Sequence, residues 1–265
     1  MSGSAAERVG DAVLGALASA GAYFVFSGRA LLELFRPPFE FREVVRQIYA
    51  LGFRSTPLIL AAGFAVGVVL SMHTRATLER FGAGAMIPAG LAVALVRETG
   101  PLVTGLLVAG RAGAGIGAEL GAMRVTEQID ALEAIGVDSF KYLAVTRILA
   151  CMIALPLLTT IMDFAGIAGG FVAEAASAGL SWPLYFQRSF ELIGFADFIS
   201  ATLKTTVFGF IIGSVAAYLG FNATRGTEGV GDASTRAVVA SSILLILSDV
   251  LLVKLIFILF PQIGS

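Results

Sequence analysis

The sequence predicts an all-α integral membrane protein, with five membrane-crossing helices and an N-terminal amphipathic helix lying on the bilayer. Three observations carry that expectation. Of 265 residues, 57% are hydrophobic and only 14% are charged, where a soluble domain carries about 25% charged residues. Apolar runs approaching the roughly 20 residues needed to cross a bilayer recur along the chain. The glycine count, 31, is high, as it is where helices approach closely in lipid.

The segment from Ala5 to Phe35 mixes Val9, Val13, Leu17, Phe24, Leu31 and Leu34 with Arg8, Asp11, Arg29 and Glu33. Charges at both ends and the Arg36-Pro37-Pro38 break favour an interfacial helix. The uncharged stretch Val13 to Gly28 leaves a sixth span open. From Phe39 to Arg54 aromatics alternate with Arg42, Arg46 and Arg54, a pattern suited to the headgroup layer. Residues 1–54 therefore read as an interfacial region and 55–265 as the five-span domain. The spans are expected near Pro57 to Met72, Met86 to Ala109, Leu143 to Ala173, Phe198 to Leu219 and Val238 to Phe260. Ser55 and Thr56 read as a cap before the first-turn Pro57.

Basic residues set the expected orientation. Twelve fall on the side of the N-terminal region and of the loops after spans two and four. Four (Arg75, Arg80, Arg188 and Lys204) fall on the other side. The positive-inside rule then puts the N-terminus in the cytoplasm and, with five spans, the C-terminus outside. No charged n-region with a compact apolar core and cleavage site opens the chain, so the first span is expected to direct insertion.

Several chemistries are excluded. One cysteine, Cys151, and one histidine, His73, cannot make a disulfide framework or a Cys/His metal cluster. None of Lys141, Lys204 and Lys254 follows a glycine, so there is no P-loop and no nucleotide grip of that kind. Gly113, Gly117 and Gly121 are spaced for helix contact, as are Gly63/Gly67, Gly166/Gly170 and Gly209/Gly213.

Two constellations remain. Between spans two and three, Thr126 is placed to cap a short helix that Gly136 ends, over about 126–137. At 100° per residue, Glu127, Asp130 and Glu133 share one arc, and Ile129, Leu132 and Ile135 the other. Such a helix can lie in a groove of a soluble partner or rest on headgroups. Inside span two, Arg97-Glu98 is costly at membrane depth, and Pro101 removes a helix hydrogen bond just beyond. Adjacent residues do not face each other, so partners are sought elsewhere: Asp163, Asp249 or Lys254 in an ion pair, or a substrate in a wet path.

Arg97-Glu98-Thr99-Gly100-Pro101-Leu102-Val103, then Ala109-Gly110-Arg111-Ala112-Gly113, then Ala118 to Gln128, closely resemble the MlaE/YrbE permease family. Leu155-Pro156-Leu157-Leu158 and Thr235 to Val239 carry the same signature, and the likeness covers nearly the whole chain. The resemblance implies a homodimeric, five-span permease subunit of an ABC transporter in a bacterial inner membrane, which performs no covalent chemistry itself. It implies a separate MlaF-like ATPase, which binds the ATP and Mg, so this chain needs no cofactor. It also implies an MlaB-like STAS-domain protein and an MlaD-like periplasmic ring of MCE-domain subunits. The cargo implied is phospholipid, moved between inner membrane and periplasm to maintain outer-membrane asymmetry. Glu127, Asp130, Leu132 and Glu133 would then belong to the coupling helix in the ATPase groove. Glu98 with Arg97, and Leu70, Leu78 and Phe81 near the outer end of span one, would face the lipid. Thr77 and Thr99 are polar where the family is usually apolar, so the pocket differs in detail. The rival reading is an ion-coupled secondary transporter with Glu98, Asp163 and Asp249 as a proton relay.

Overall fold

The computed structural model describes residues 5–224 and 226–259, with side chains from Leu14 onward except Ala16. Among the described residues, five helical segments are long and apolar enough to cross a membrane. They run over Phe41–Phe81, Gly84–Val125, Phe140–Ala178, Phe195–Phe221 and Gly226–Leu259. All are longer than hydropathy alone marks, because their ends continue as helix past the apolar stretch. Arg111 and Arg124, expected in a loop, therefore sit on the helical extension of span two.

Helix α1 (Ala5–Glu33) precedes the spans and is not among the five. Its exposed apolar residues Leu14, Leu17, Phe24 and Leu31 recur at intervals of three or seven positions, which makes one stripe along one face. The other face docks on the bundle. Tyr23 hydrogen bonds Ser214 at 2.9 Å, and Phe26 meets Phe140 and Phe221 edge-on. Beyond the Pro37-Pro38 break, α2 (Phe41–Leu51) leads into α3 (Thr56–Leu78), whose first turn holds Pro57. Ser55 does not cap it by side chain: its hydroxyl donates to Leu51 O at 2.5 Å and accepts from Arg111.

Span two is a composite. Helices α4 (Ile87–Ala94), α5 (Gly100–Val108) and α6 (Ala114–Val125) are joined by π-helical turns at Leu95–Thr99 and Ala109–Gly113. The sequence locates the irregularity at Pro101, but the structure places it one turn earlier. Pro101 falls in the first turn of α5, where a missing N–H costs least. The turn before it widens, and Gly100 N–H bonds Leu95 O. A helix α7 (Gln128–Ala134) follows, then a third π turn, Phe140–Val145, opening α8 (Thr146–Ala178). The short α9 (Trp182–Ser189), anchored by fully buried Tyr185, precedes α10 (Phe195–Phe221) and α11 (Gly226–Leu259).

Helix α8 is the hub, flanked by α3 and α10, while α11 packs on α6 and α10. Lipid offers no hydrophobic force between helices, so backbone approach decides the packing. A Cβ at Gly67 would lie 1.8 Å from Gly166 O, and one at Gly209 would lie 2.5 Å from Cys151 O. The glycines of these pairs thus form the α3–α8 and α8–α10 seams. The least covered span is α11: 11% of its most apolar stretch is buried, against 56% for α10. Val239, Ile243, Ile246, Val250 and Leu251 point outward along it.

Candidate functional site

Two regions stand out, at opposite ends of span two. The first surrounds its upper π turn. Arg97 and Glu98 do not pair with each other, as adjacent helical positions dictate. Arg97 Nε donates to Asp197 Oδ1 at 2.6 Å. Lys204 Nζ donates to Glu98 Oε2 at 2.6 Å and lies 2.7 Å from Asp249 Oδ1. It also donates to Arg97 O at 3.4 Å, a carbonyl whose α-helical partner would be the absent N–H of Pro101. One ammonium thus supports a broken helix and pairs with two carboxylates.

The exposures are unequal. Lys204 is 1% exposed, Asp249 14% and Glu98 49%. The pair is anchored inside the bundle but presents one carboxylate on its outer surface. In hydrocarbon an exposed charge is tolerated only against a water-filled cavity or another protein surface. Glu98 is therefore a candidate for a cavity or a protein interface.

Of the partners the sequence offers, Asp249 is found, through Lys204, while Asp163 and Lys254 are not in this network. Asp163 lies one helix away: it is buried, its Oδ1 has no hydrogen-bond partner, and a Cβ at Gly100 would meet that oxygen at 1.9 Å. It borders a small apolar cavity of about 70 Å³ with Val96, Phe164 and Phe198. Asp197 and Lys204 are the residues that sequence reading missed. Lys204 counts there as a loop charge, yet it lies two turns after Asp197 on α10, with Ser200 between. Positions 197, 200 and 204 share one helical face, a buried polar stripe that spacing can reveal. A second missed pair is Arg75 with Glu174, which ties α3 to α8 and also receives Ser71 Oγ at 2.8 Å.

The apolar candidates on span one divide. Leu70 is half-buried against the cluster of Leu91, Leu95 and Tyr185. Leu78 closes α3, and Phe81, 80% exposed, stands in the turn beyond it.

The second region is α7. It is shorter than the sequence suggests, because Ile135 follows the last helical residue and stays exposed. Ile129 is buried and Leu132 half-buried, so the apolar arc does face the bundle, while Glu127, Asp130 and Glu133 are exposed. Thr126 does not cap: its hydroxyl donates back to Ala122 O at 2.8 Å. Instead Glu127 takes the left-handed conformation, φ 59°, at a cost of about 1–2 kcal/mol for a residue with a Cβ. Such a turn points to function in the segment that holds it. Arg124 Nη1 pairs with Asp130 Oδ1 at 2.6 Å, and Ser139 Oγ donates to Glu133 Oε1 at 2.5 Å. Helix α7 is thus fastened to both of its neighbours. Farther along the same two neighbours, Arg147 pairs with Glu119 at 2.7 Å.

The family model described as Permease MlaE matches residues 44–255. The chain belongs to the MlaE permease family. It is 38% identical to a probable ABC transporter permease protein of Rickettsia bellii, over 95% of this chain and 97% of that one. It is 31% identical to the intermembrane phospholipid transport system permease protein MlaE of Haemophilus influenzae, over 82% of this chain and 84% of that one. Similarity extends to the TRIGALACTOSYLDIACYLGLYCEROL 1 protein of Arabidopsis thaliana chloroplasts, 31% identical over 88% of this chain and 67% of that one. As an MlaE permease the chain is the multi-pass membrane component of an ABC transporter, not its ATPase. Span two then connects the Glu98 network, on its internal π turn, to α7, which follows its last residue.

Proposed function

We propose that this MlaE permease moves phospholipid between the bacterial inner membrane and the periplasm, supporting outer-membrane lipid asymmetry, along a path beside Glu98. The observation that carries the reading is a half-exposed carboxylate locked to a buried lysine at the surface of the bundle. The name of the Haemophilus relative, an intermembrane phospholipid transport system permease, supports the cargo. The open apolar face of α11 supports a homodimer, whose seam would form a cavity bordered by Glu98, Arg97, Leu70, Leu78 and Phe81.

The basic-residue bias supports placing the N-terminus and α7 in the cytoplasm and the C-terminus in the periplasm. Helix α7, with Glu127, Asp130, Leu132 and Glu133, would seat in an MlaF-like ATPase that binds ATP and Mg. An MlaB-like STAS protein would accompany that ATPase, and an MlaD-like MCE ring would stand over the α9 end. Power strokes at α7 would travel both ways along the chain. Each route contains a π turn, at Ala109–Gly113 and at Phe140–Val145. π turns are local weak points in a helix and recur at functional sites. The third, Leu95–Thr99, would let span two flex where Glu98 meets the lipid.

A proton relay through Glu98, Asp163 and Asp249 fits less well. Lys204 bridges two of these carboxylates in ion pairs, and Asp163 lies outside that network with an unpartnered oxygen. The test is purification of the tagged chain in mild detergent. Co-isolation of an ATPase and phospholipid supports the reading. A chain that arrives without ATPase and moves solute down an ion gradient overturns it.

A further inference from the structure

A cavity of about 520 Å³ lies between α1 and α7, away from the Glu98 network. Val25, Phe26, Arg29, Arg124, Glu133 and Phe140 contribute to its wall. Its wall carries two cations and one anion, unequally engaged. Arg124 is already neutralised by Asp130 at 2.6 Å. Arg29 has no ion pair among the described residues, and its guanidinium carbon lies over the Phe140 ring, 4.2 Å from the centroid. A cation–π contact does not consume the five N–H donors of a guanidinium, so Arg29 can still bind a phosphate. Glu133 has one oxygen bound to Ser139 and no ion pair. The cavity therefore holds one unpaired cation and one unpaired anion.

Its rim is apolar. Val25 is 75% exposed and Phe24 71% exposed, beside the stripe that α1 turns outward. A ligand matching this wall has an anionic group, a nearby cationic group and hydrocarbon attached. We propose that this cavity binds an amine-bearing phospholipid such as phosphatidylethanolamine, with the phosphodiester on the Arg29 edge and the ammonium on Glu133. The acyl chains run along Val25 and the outer stripe of α1. A primary ammonium donates to Glu133, whereas a quaternary choline has no N–H to give. An anionic headgroup would leave Glu133 opposed rather than paired. The bound lipid bridges the interfacial helix and α7, so membrane composition would reach the element that meets the ATPase. The site is separate from the transport path: Glu98 variants that lose transport should keep it.

The test is native mass spectrometry of the full chain in detergent, with equimolar phosphatidylethanolamine, phosphatidylglycerol and phosphatidylcholine. The wild type should retain phosphatidylethanolamine preferentially. Glu133→Gln should lower that retention about tenfold, as expected for one charge-assisted hydrogen bond, and Arg29→Gln should weaken all three lipids. Glu133→Lys should switch the preference to phosphatidylglycerol, a gain that misfolding cannot produce. Three results would overturn the proposal. One is an unchanged preference in Glu133→Gln and Glu133→Lys. Another is displacement of the lipid by inorganic phosphate alone, which makes this a free-anion site. The last is lost ATPase co-isolation in Arg29→Gln with lipid retention intact, which makes Arg29 a partner contact.

Discussion

Replacing Lys204 with Met removes the cation that holds Glu98 and Asp249 at 2.6 and 2.7 Å. Stripping one partner from a buried ion pair costs about 3–5 kcal/mol, because the other charge stays behind undissolved. Glu98 is 49% exposed and can recover water, whereas Asp249 at 14% cannot. Most of the cost therefore falls on Asp249, and the lower figure, about 3 kcal/mol, applies. At about 2–4 °C per kcal/mol for a chain of this size, the melting midpoint should fall by about 6–12 °C. Pairing the change with Asp249→Asn removes the stranded charge and should restore most of the loss. The assay is thermal unfolding of the single and double variants in lipid nanodiscs. A Lys204→Met protein that melts with the wild type would refute the reasoning, as would a double variant no more stable than the single.

Other outcomes follow from the same geometry. Gly67→Ala puts a methyl 1.8 Å from Gly166 O and should separate α3 from α8, lowering yield and melting temperature. Gly110→Ala, with nothing within 4 Å of the new methyl, should fold as wild type in the same measurement. Asp163→Asn replaces a buried carboxyl that has an unpartnered oxygen. It should be neutral or stabilising by about 1–3 kcal/mol in denaturant titration, and a loss of transport with intact stability would show that the carboxyl group is needed. Reversing the charges of Glu127, Asp130 and Glu133 should abolish ATPase co-isolation while the chain still inserts and dimerises; full co-isolation would remove α7 as the docking element.

Much of this architecture was legible because bilayer physics is severe. Every span had to appear as an apolar run, and the glycines at four-residue spacing had to mark contacts, as Gly63, Gly67, Gly209 and Gly213 do. Arg97-Glu98 stood out because charge at that depth demands a partner. Their partners did not stand out. Asp197 lies at the start of α10 and resembles a cap, which it also is, accepting from Gly194 N at 2.8 Å. Lys204 was hidden by its long stem, which lets a charge near a helix end pass for a loop residue. Pro101 signals an irregularity near Leu95–Thr99, but nothing in composition or spacing marks the π turns at Ala109–Gly113 and Phe140–Val145. The left-handed Glu127 follows no local rule either, since propensity favours glycine or asparagine there.

The central claim is that span two links an ATPase-driven α7 to a lipid path at Glu98. Its most direct test is ATP-dependent movement of labelled phospholipid in vesicles that contain the permease with its co-isolated partners. The wild-type assembly should move lipid on ATP addition. Glu98→Ala should lose most of that movement while its partners remain bound and hydrolyse ATP. Undiminished lipid movement in Glu98→Ala, or equal movement by the chain alone without ATP, would contradict the account.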